Sequence, residues 1–149
     1  RNSNFNNIEG DAIDFSGSDV LIENTVFKKI RDKAISAGEE SFLKITNINV
    51  DSVGVGIASK DASNVDIERS SLSNYKLYGL MTYKKKSFYQ KPSSLFGENI
   101  EFDLKNVCCL RQINSKMFIN SEAIGESPLN VDNLYNEGIM KKWVKLGMK

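Results

Sequence analysis

Ile13, Ile35, Ile57 and Leu80 stand 22, 22 and 23 residues apart, and other apolar residues keep nearly the same period. Val20, Leu43 and Val65 form one column, and Ile22, Ile45 and Ile67 the next. Phe5, Phe27, Val50 and Leu72 form a third, and Ile8, Ile30, Val53 and Tyr75 a fourth. A fixed period of this length constrains a fold more than any single element does, because each copy must bury its apolar face against the copy beside it.

Inside each copy, stretches such as "VLIEN" and "LKITN" alternate apolar and polar residues, the period of a half-buried strand and not of a helix. The stretches are joined by "SGSD", "GEES" and "KDASN", compositions that turn a chain sharply. Strands and turns repeating every 22 to 23 residues predict an all-β chain, a parallel β-helix in which each copy is one coil. A leucine-rich repeat shares the period, but its leucine consensus is absent. Asn2, Asn24 and Asn47 add a short polar column, ended by Arg69, whose amides are placed to bond along the stack.

The pattern is expected to resume after an insertion, "MTYKKKSFYQKPSSLFGE". There Ile100 and Phe102 restart the alternation, and Val107 and Leu110 repeat the offsets that separate Ile22 from Phe27 and Ile30. A last, weaker coil runs through Ile113, Met117, Ile119 and Ile124, for about five coils over residues 1–125. Residues 126–149 leave the strand pattern and are expected to form a short cap or tail, with Leu134, Tyr135, Ile139 and Trp143 on one face. The chain opens on Arg1 and enters the pattern in mid-coil. This is expected of the C-terminal part of a longer solenoid, whose partners would be an upstream domain of the same parent or a second copy docked end to end.

With 20 basic and 19 acidic residues the net charge is +1, so no global field draws the chain to nucleic acid, and a charged partner must be read by local patches. The chain lacks histidine, which removes Ser-His-Asp and Cys-His catalysis and imidazole zinc sites. Cys108 and Cys109, the two cysteines, are adjacent and cannot close a loop; they are expected to pack as small buried hydrophobes. No stretch approaches the roughly 18 apolar residues of a membrane span, and none has the form of a signal peptide.

The copies "DAIDFSGSDVLIENTVFKKIRDKAISAGEESFLKITNINV" and "GIASKDASNVDIERSSLSN", followed by "YKKK", resemble right-handed parallel β-helix domains of the pectin-lyase-like superfamily. They resemble in particular the C-terminal β-helix domains of bacterial secreted or surface proteins. The resemblance covers roughly residues 1 to 125 and implies a carbohydrate-associated role in an extracellular or cell-envelope setting. It carries over no catalytic motif.

The repeat places Glu39, Asp61 and Lys84 in one line up the stack, with Lys60 and Tyr83 in the adjoining row. Read as a catalytic group on an acidic polysaccharide, a carboxylate would be general base or calcium ligand, the lysine would neutralise a uronate, and Tyr83 would stack on a sugar or donate a proton. Read structurally, the same residues neutralise one another, Glu39 with Lys60 and Asp61 with Lys84. In "YKKKSFYQK" the basic Lys85 and Lys86 alternate with aromatics including Tyr89, a composition suited to glycan binding or to a solvated loop. No cofactor is expected, and no carboxylate cluster of the calcium-binding kind is evident. A scaffold or glycan-binding module is favoured over a lyase, a hydrolase or a purely structural solenoid.

Overall fold

A computed structural model describes residues 1–103 and 107–141. The strands are β1 (Asn4–Ile8), β2 (Ile13–Ser16), β3 (Asp19–Gly38), β4 (Phe42–Lys60), β5 (Asn64–Tyr83), β6 (Ser94–Phe102), β7 (Cys109–Gln112), β8 (Lys116–Ile119), β9 (Glu122–Ala123) and β10 (Glu126–Ser127). One helix, α1 (Val131–Asn136), and a 3-10 turn at Gly138–Met140 follow. Among the described residues neighbouring coils pair in parallel, and only β8 and β9 meet antiparallel. The chain is a solenoid of about five coils, as the period predicts.

β3 and β5 run for 20 residues and β4 for 19. They stay compact because each bends at residues with left-handed backbone. One row of bends holds Asn2, Asn24, Asn47, Arg69 and Asn99, with φ between 48° and 55°. A second holds Asn7, Lys29, Ser52 and Asn74. Asparagine tolerates this region better than most residues, which accounts for its recurrence at the coil period. The polar column is thus first a requirement of the corner; Asn47 also donates to the Asn24 side chain at 2.8 Å.

Register confirms the columns up to Leu80. Val20 lies opposite Leu43 and Leu43 opposite Val65, and Ile35 opposite Ile57 and Ile57 opposite Leu80. Leu43, Ile45, Val50, Ile57 and Leu80 are wholly buried. Each such side chain contributes about 1.5–3 kcal/mol. The alternation of 22 and 23 has a local cause. Coil three is one residue shorter than its neighbours between Val53 and Val55, and Gly54 fills the gap against the carbonyls of Arg31 and Asp32.

Beyond Tyr83 the register differs from the expectation. Gly97, not Phe102, follows Ile67, and Phe102 follows Leu72. The vacancy above Gly97 is filled by Ile100 and Ile119, whose side-chain carbons come within 3.0 Å of where a β-carbon would stand. Val107 is 71% exposed, and Leu110 pairs with Met81 outside the coil and not with the Ile30 column. Met117 and Ile119 do extend the stack, whereas Ile113 is exposed.

The outer face of the sheet carries a second apolar cluster. Val55, Ala58, Met81, Tyr83 and Leu110 are covered there by Leu134, Tyr135, Ile139 and Met140. Segment 129–140 therefore lies along the side of the coils, while the β8–β9 hairpin folds over the last one. Trp143, expected on the same face, lies outside the described residues.

Candidate functional site

A third row of left-handed residues, Gly17, Glu39, Glu40, Asp61 and Ala62, forms the corner where the coils leave their outer sheet. Pairing of Gly38's neighbours with Ser59, and of Lys60 with Tyr83, sets Glu39, Asp61 and Lys84 in line, as the repeat requires. Their partners differ from the ones expected. Asp61 is 1% exposed, and its Oδ1 accepts the backbone N–H groups of Lys85 and Lys86, both at 2.8 Å. Glu39 takes the Lys86 ammonium at 2.9 Å in place of Lys60, and the Lys84 amide donates to Gln112 at 2.8 Å. The insertion folds back over the corner and delivers two adjacent amides to a buried carboxylate, a stronger arrangement than a solvated lysine.

The hydrogen bond from Lys86, then that from Ser16, holds the Glu39 carboxyl below its ordinary range. The same bond to Glu39 raises the Lys86 ammonium. Both remain ionised at neutral pH.

Tyr83 was expected to face a sugar; it is wholly buried, because segment 129–140 covers it. Its hydroxyl lies 2.6 Å from that of Tyr135, and burial, followed by Tyr135, pushes its phenol well above the ordinary value. The Lys85 ammonium sits 4.4 Å from the centre of the Tyr135 ring. Tyr89 is half-buried and packs against the exposed Phe88. Lys60 is 8% exposed; its carbonyl accepts the Ser63 amide at 3.2 Å, and its ammonium is not among the buried side-chain atoms that lack a partner. Burial, then the neighbouring Lys33, lowers its ammonium. Between the insertion and β7 lies a cleft of about 500 Å³, lined by Lys84, Lys85, Gln90, Gln112, Asn114 and Ser115 among others.

Sequence reasoning missed a second charged group. Lys33 is 2% exposed, and its ammonium bonds Asp32 at 2.9 Å and Asp11 at 3.2 Å beneath the Tyr135 ring. Burial, reinforced by Asp11 and opposed by Lys33, raises the Asp32 carboxyl. Burial works against the Lys33 charge, but Asp11, Tyr135 and Asp32 together outweigh it and the ammonium is raised. The signal was present: Asp11 stands one period before Lys33, and the Lys33 amide also donates to it. The helix that closes the group could not be placed by the repeat.

A family model described as a right-handed beta helix region matches residues 1–126. The chain belongs to that family. No curated protein and no solved structure matches it. In this right-handed β-helix Cys108 and Cys109 do not pack as separate thiols: they are bonded to each other across the one peptide between them, a pairing that ties together no distant parts of the chain. Cys109 still takes the next place in the column above Leu80. Among the described residues of the β-helix, no helix is long and apolar enough to cross a membrane, and no three His, Cys, Asp or Glu side chains group to hold a metal ion.

Proposed function

We propose that this β-helix is a scaffold that binds an acidic glycan in the cleft between the 84–93 insertion and β7, as part of an extracellular or envelope protein. The observation that carries the reading is how the cleft is held. Asp61 fixes the amides of Lys85 and Lys86, Gln112 fixes that of Lys84, and Ser93 accepts the amide of Ala62 at 3.1 Å. The loop is preorganised before any ligand arrives, which lowers the ordering cost of binding. Lysines and amide side chains along a cleft of about 500 Å³ offer ionic and hydrogen-bonding partners to carboxylated sugars.

An enzyme reading draws less support. Glycoside hydrolysis needs two carboxylates facing the scissile bond. Here Asp61 is buried and bonded to backbone, and Glu39 is paired with Lys86. Affinity electrophoresis in gels containing polygalacturonate tests the binding reading. Wild-type protein should be retarded, with retardation weakened by salt. Lys84→Ala should lower the apparent affinity by about 2- to 5-fold, the range of an exposed ion pair. Equal mobility of wild type with and without the polymer would end the proposal.

A further inference from the structure

On one sheet of the coils, large apolar side chains point outward. Leu21, Phe42, Phe96 and Phe118 are each between 42% and 51% exposed, and all four stand on the sheet built from residues 19–23, 42–46, 64–68, 94–98 and 116–119. Register puts Leu21, Lys44, Asp66, Phe96 and Phe118 in a single row up the stack, one from each coil. Phe42 stands in the row beside it, in line with Asn64. The Phe96 and Phe118 rings are stacked, with centroids 5.7 Å apart and planes 6° from parallel. Apolar surface gathered in this way is costly to hydrate and marks an interaction surface.

The order of residues within the row indicates what fits it. A second copy laid face to face, related by a two-fold axis along the strands, presents the same row reversed. An axis through Asp66 would set that carboxylate against itself. An axis midway between Lys44 and Asp66 sets each Lys44 against the other copy's Asp66, and each Leu21 against the other copy's Phe96. Both pairings then occur twice. Lys44 and Asp66 are exposed, and neither belongs to the ion pairs formed among the described residues, so both charges are open to a partner. A depression of about 240 Å³, lined by Lys44, Asp66, Glu68 and Phe96 among others, gives Leu21 of the second copy a seat. In the row on the other side Glu23 would meet Glu98 at the solvated rim, which limits the affinity.

We propose that two copies of this chain dock through this sheet as an isologous dimer, held by the paired Lys44–Asp66 and Leu21–Phe96 contacts. The proposal stands apart from the glycan reading. Coils about 4.8 Å apart and alternate residues about 7 Å apart make the face roughly 400 Å² per copy, half of the about 800 Å² of a standard interface. The dimer is therefore transient, with a dissociation constant of about 10–500 µM.

Sedimentation equilibrium of the whole chain from about 5 µM to about 1 mM should show the mass rising from one chain towards two. Lys44→Asp and Asp66→Lys should each weaken the dimer at least about 10-fold, because like charges replace both pairs. An equimolar mixture of the two variants restores opposite charges at both contacts and should associate within about threefold of wild type. The doubly reversed chain should do the same, and because it also keeps unlike neighbours within its own sheet it serves as the test if either single variant fails to fold. Wild type that stays monomeric at about 1 mM overturns the proposal. So does a mixture no tighter than the single variants. A dimer indifferent to the charge changes would belong to another surface and refutes this one. Phe96 and Phe118 resonances that move with phosphatidylcholine vesicles while the protein remains monomeric would give the sheet a different occupant, and refute it equally.

Discussion

Asp61→Gly isolates the bond on which the cleft is built. Asp61 has φ +53°, so alanine would add the cost of a left-handed β-carbon, about 1–2 kcal/mol, to the effect of interest. Glycine adopts that backbone freely and removes only the carboxylate. Two hydrogen bonds of 2.8 Å to an ionised, buried acceptor are lost. Bonds to charged groups contribute about 1.5–3 kcal/mol each, but the freed amides belong to half-buried residues and recover water, so a net loss of about 2–3 kcal/mol is expected. With tenfold for every 1.4 kcal/mol, exchange at the Lys85 and Lys86 amides should accelerate about 30- to 150-fold. Asp61→Asn, which keeps an acceptor and tolerates the same backbone, should accelerate it only about 5-fold. Hydrogen exchange read residue by residue is the assay, with tryptic cleavage after Lys84, Lys85 and Lys86 as a second readout. Rates at both amides within twofold of wild type in Asp61→Gly would show that the insertion is held by something else.

Gly56→Ala would drive a β-carbon into the Gly79 carbonyl oxygen and Leu72 Cδ2. It should cost about 1–3 kcal/mol in chemical denaturation, against about 0.5 kcal/mol or less for Gly10→Ala, which meets nothing within 4 Å. Lys33→Met leaves Asp11 and Asp32 facing one another without their cation, and at neutral pH should cost about 3–5 kcal/mol. The sign with pH follows from the raised Asp32 carboxyl. Its folded form keeps a proton that the unfolded form has lost, so stability falls as pH rises through the window between the ordinary carboxylate value and the folded one. Without Lys33 that window widens upward, so denaturation midpoints of variant and wild type should converge on acidification and diverge towards neutrality; a gap independent of pH would contradict this account. The raised Lys33 ammonium adds a contribution present below the ordinary lysine value and lost as pH rises through its folded one.

The period made the fold legible because stacking forces like residues into register every 22 to 23 positions, and that signal survives wherever coil length is conserved. It failed where length changes. A ten-residue insertion at 84–93 erases the count, and alternation alone has no origin: Ile100 and Phe102 look equally good as the start of a strand or as its end. Gly97 deepened the error, since the residue that holds the column has no side chain by which to recognise it. The same division governs the site. Register placed Glu39, Asp61 and Lys84 in a line because their backbone positions are set by the coils. Their partners are set by where the insertion folds, and neither carboxylate pairs with the lysine that spacing alone would choose.

Lys33 and Lys60 show what that distinction means for function. Both are lysines on the outer face of the same sheet, both are buried, and their sequence contexts, "DKAIS" and "ASKDA", give no reason to treat them differently. One has Asp11 a period earlier and Asp32 beside it, and segment 129–140 brings Tyr135 to close the set. The other finds its neighbours already bonded, Glu39 and Asp61 having been taken by the insertion. The insertion thus decides which of the corner's carboxylates remain open to a neighbouring lysine. If Asp61→Gly frees the loop, the cleft that the loop walls should weaken as a ligand site. Trigalacturonate affinity in that variant should therefore fall by more than the 2- to 5-fold expected from losing one exposed lysine. Affinity equal to wild type in a variant whose loop amides exchange freely would place the ligand away from this corner.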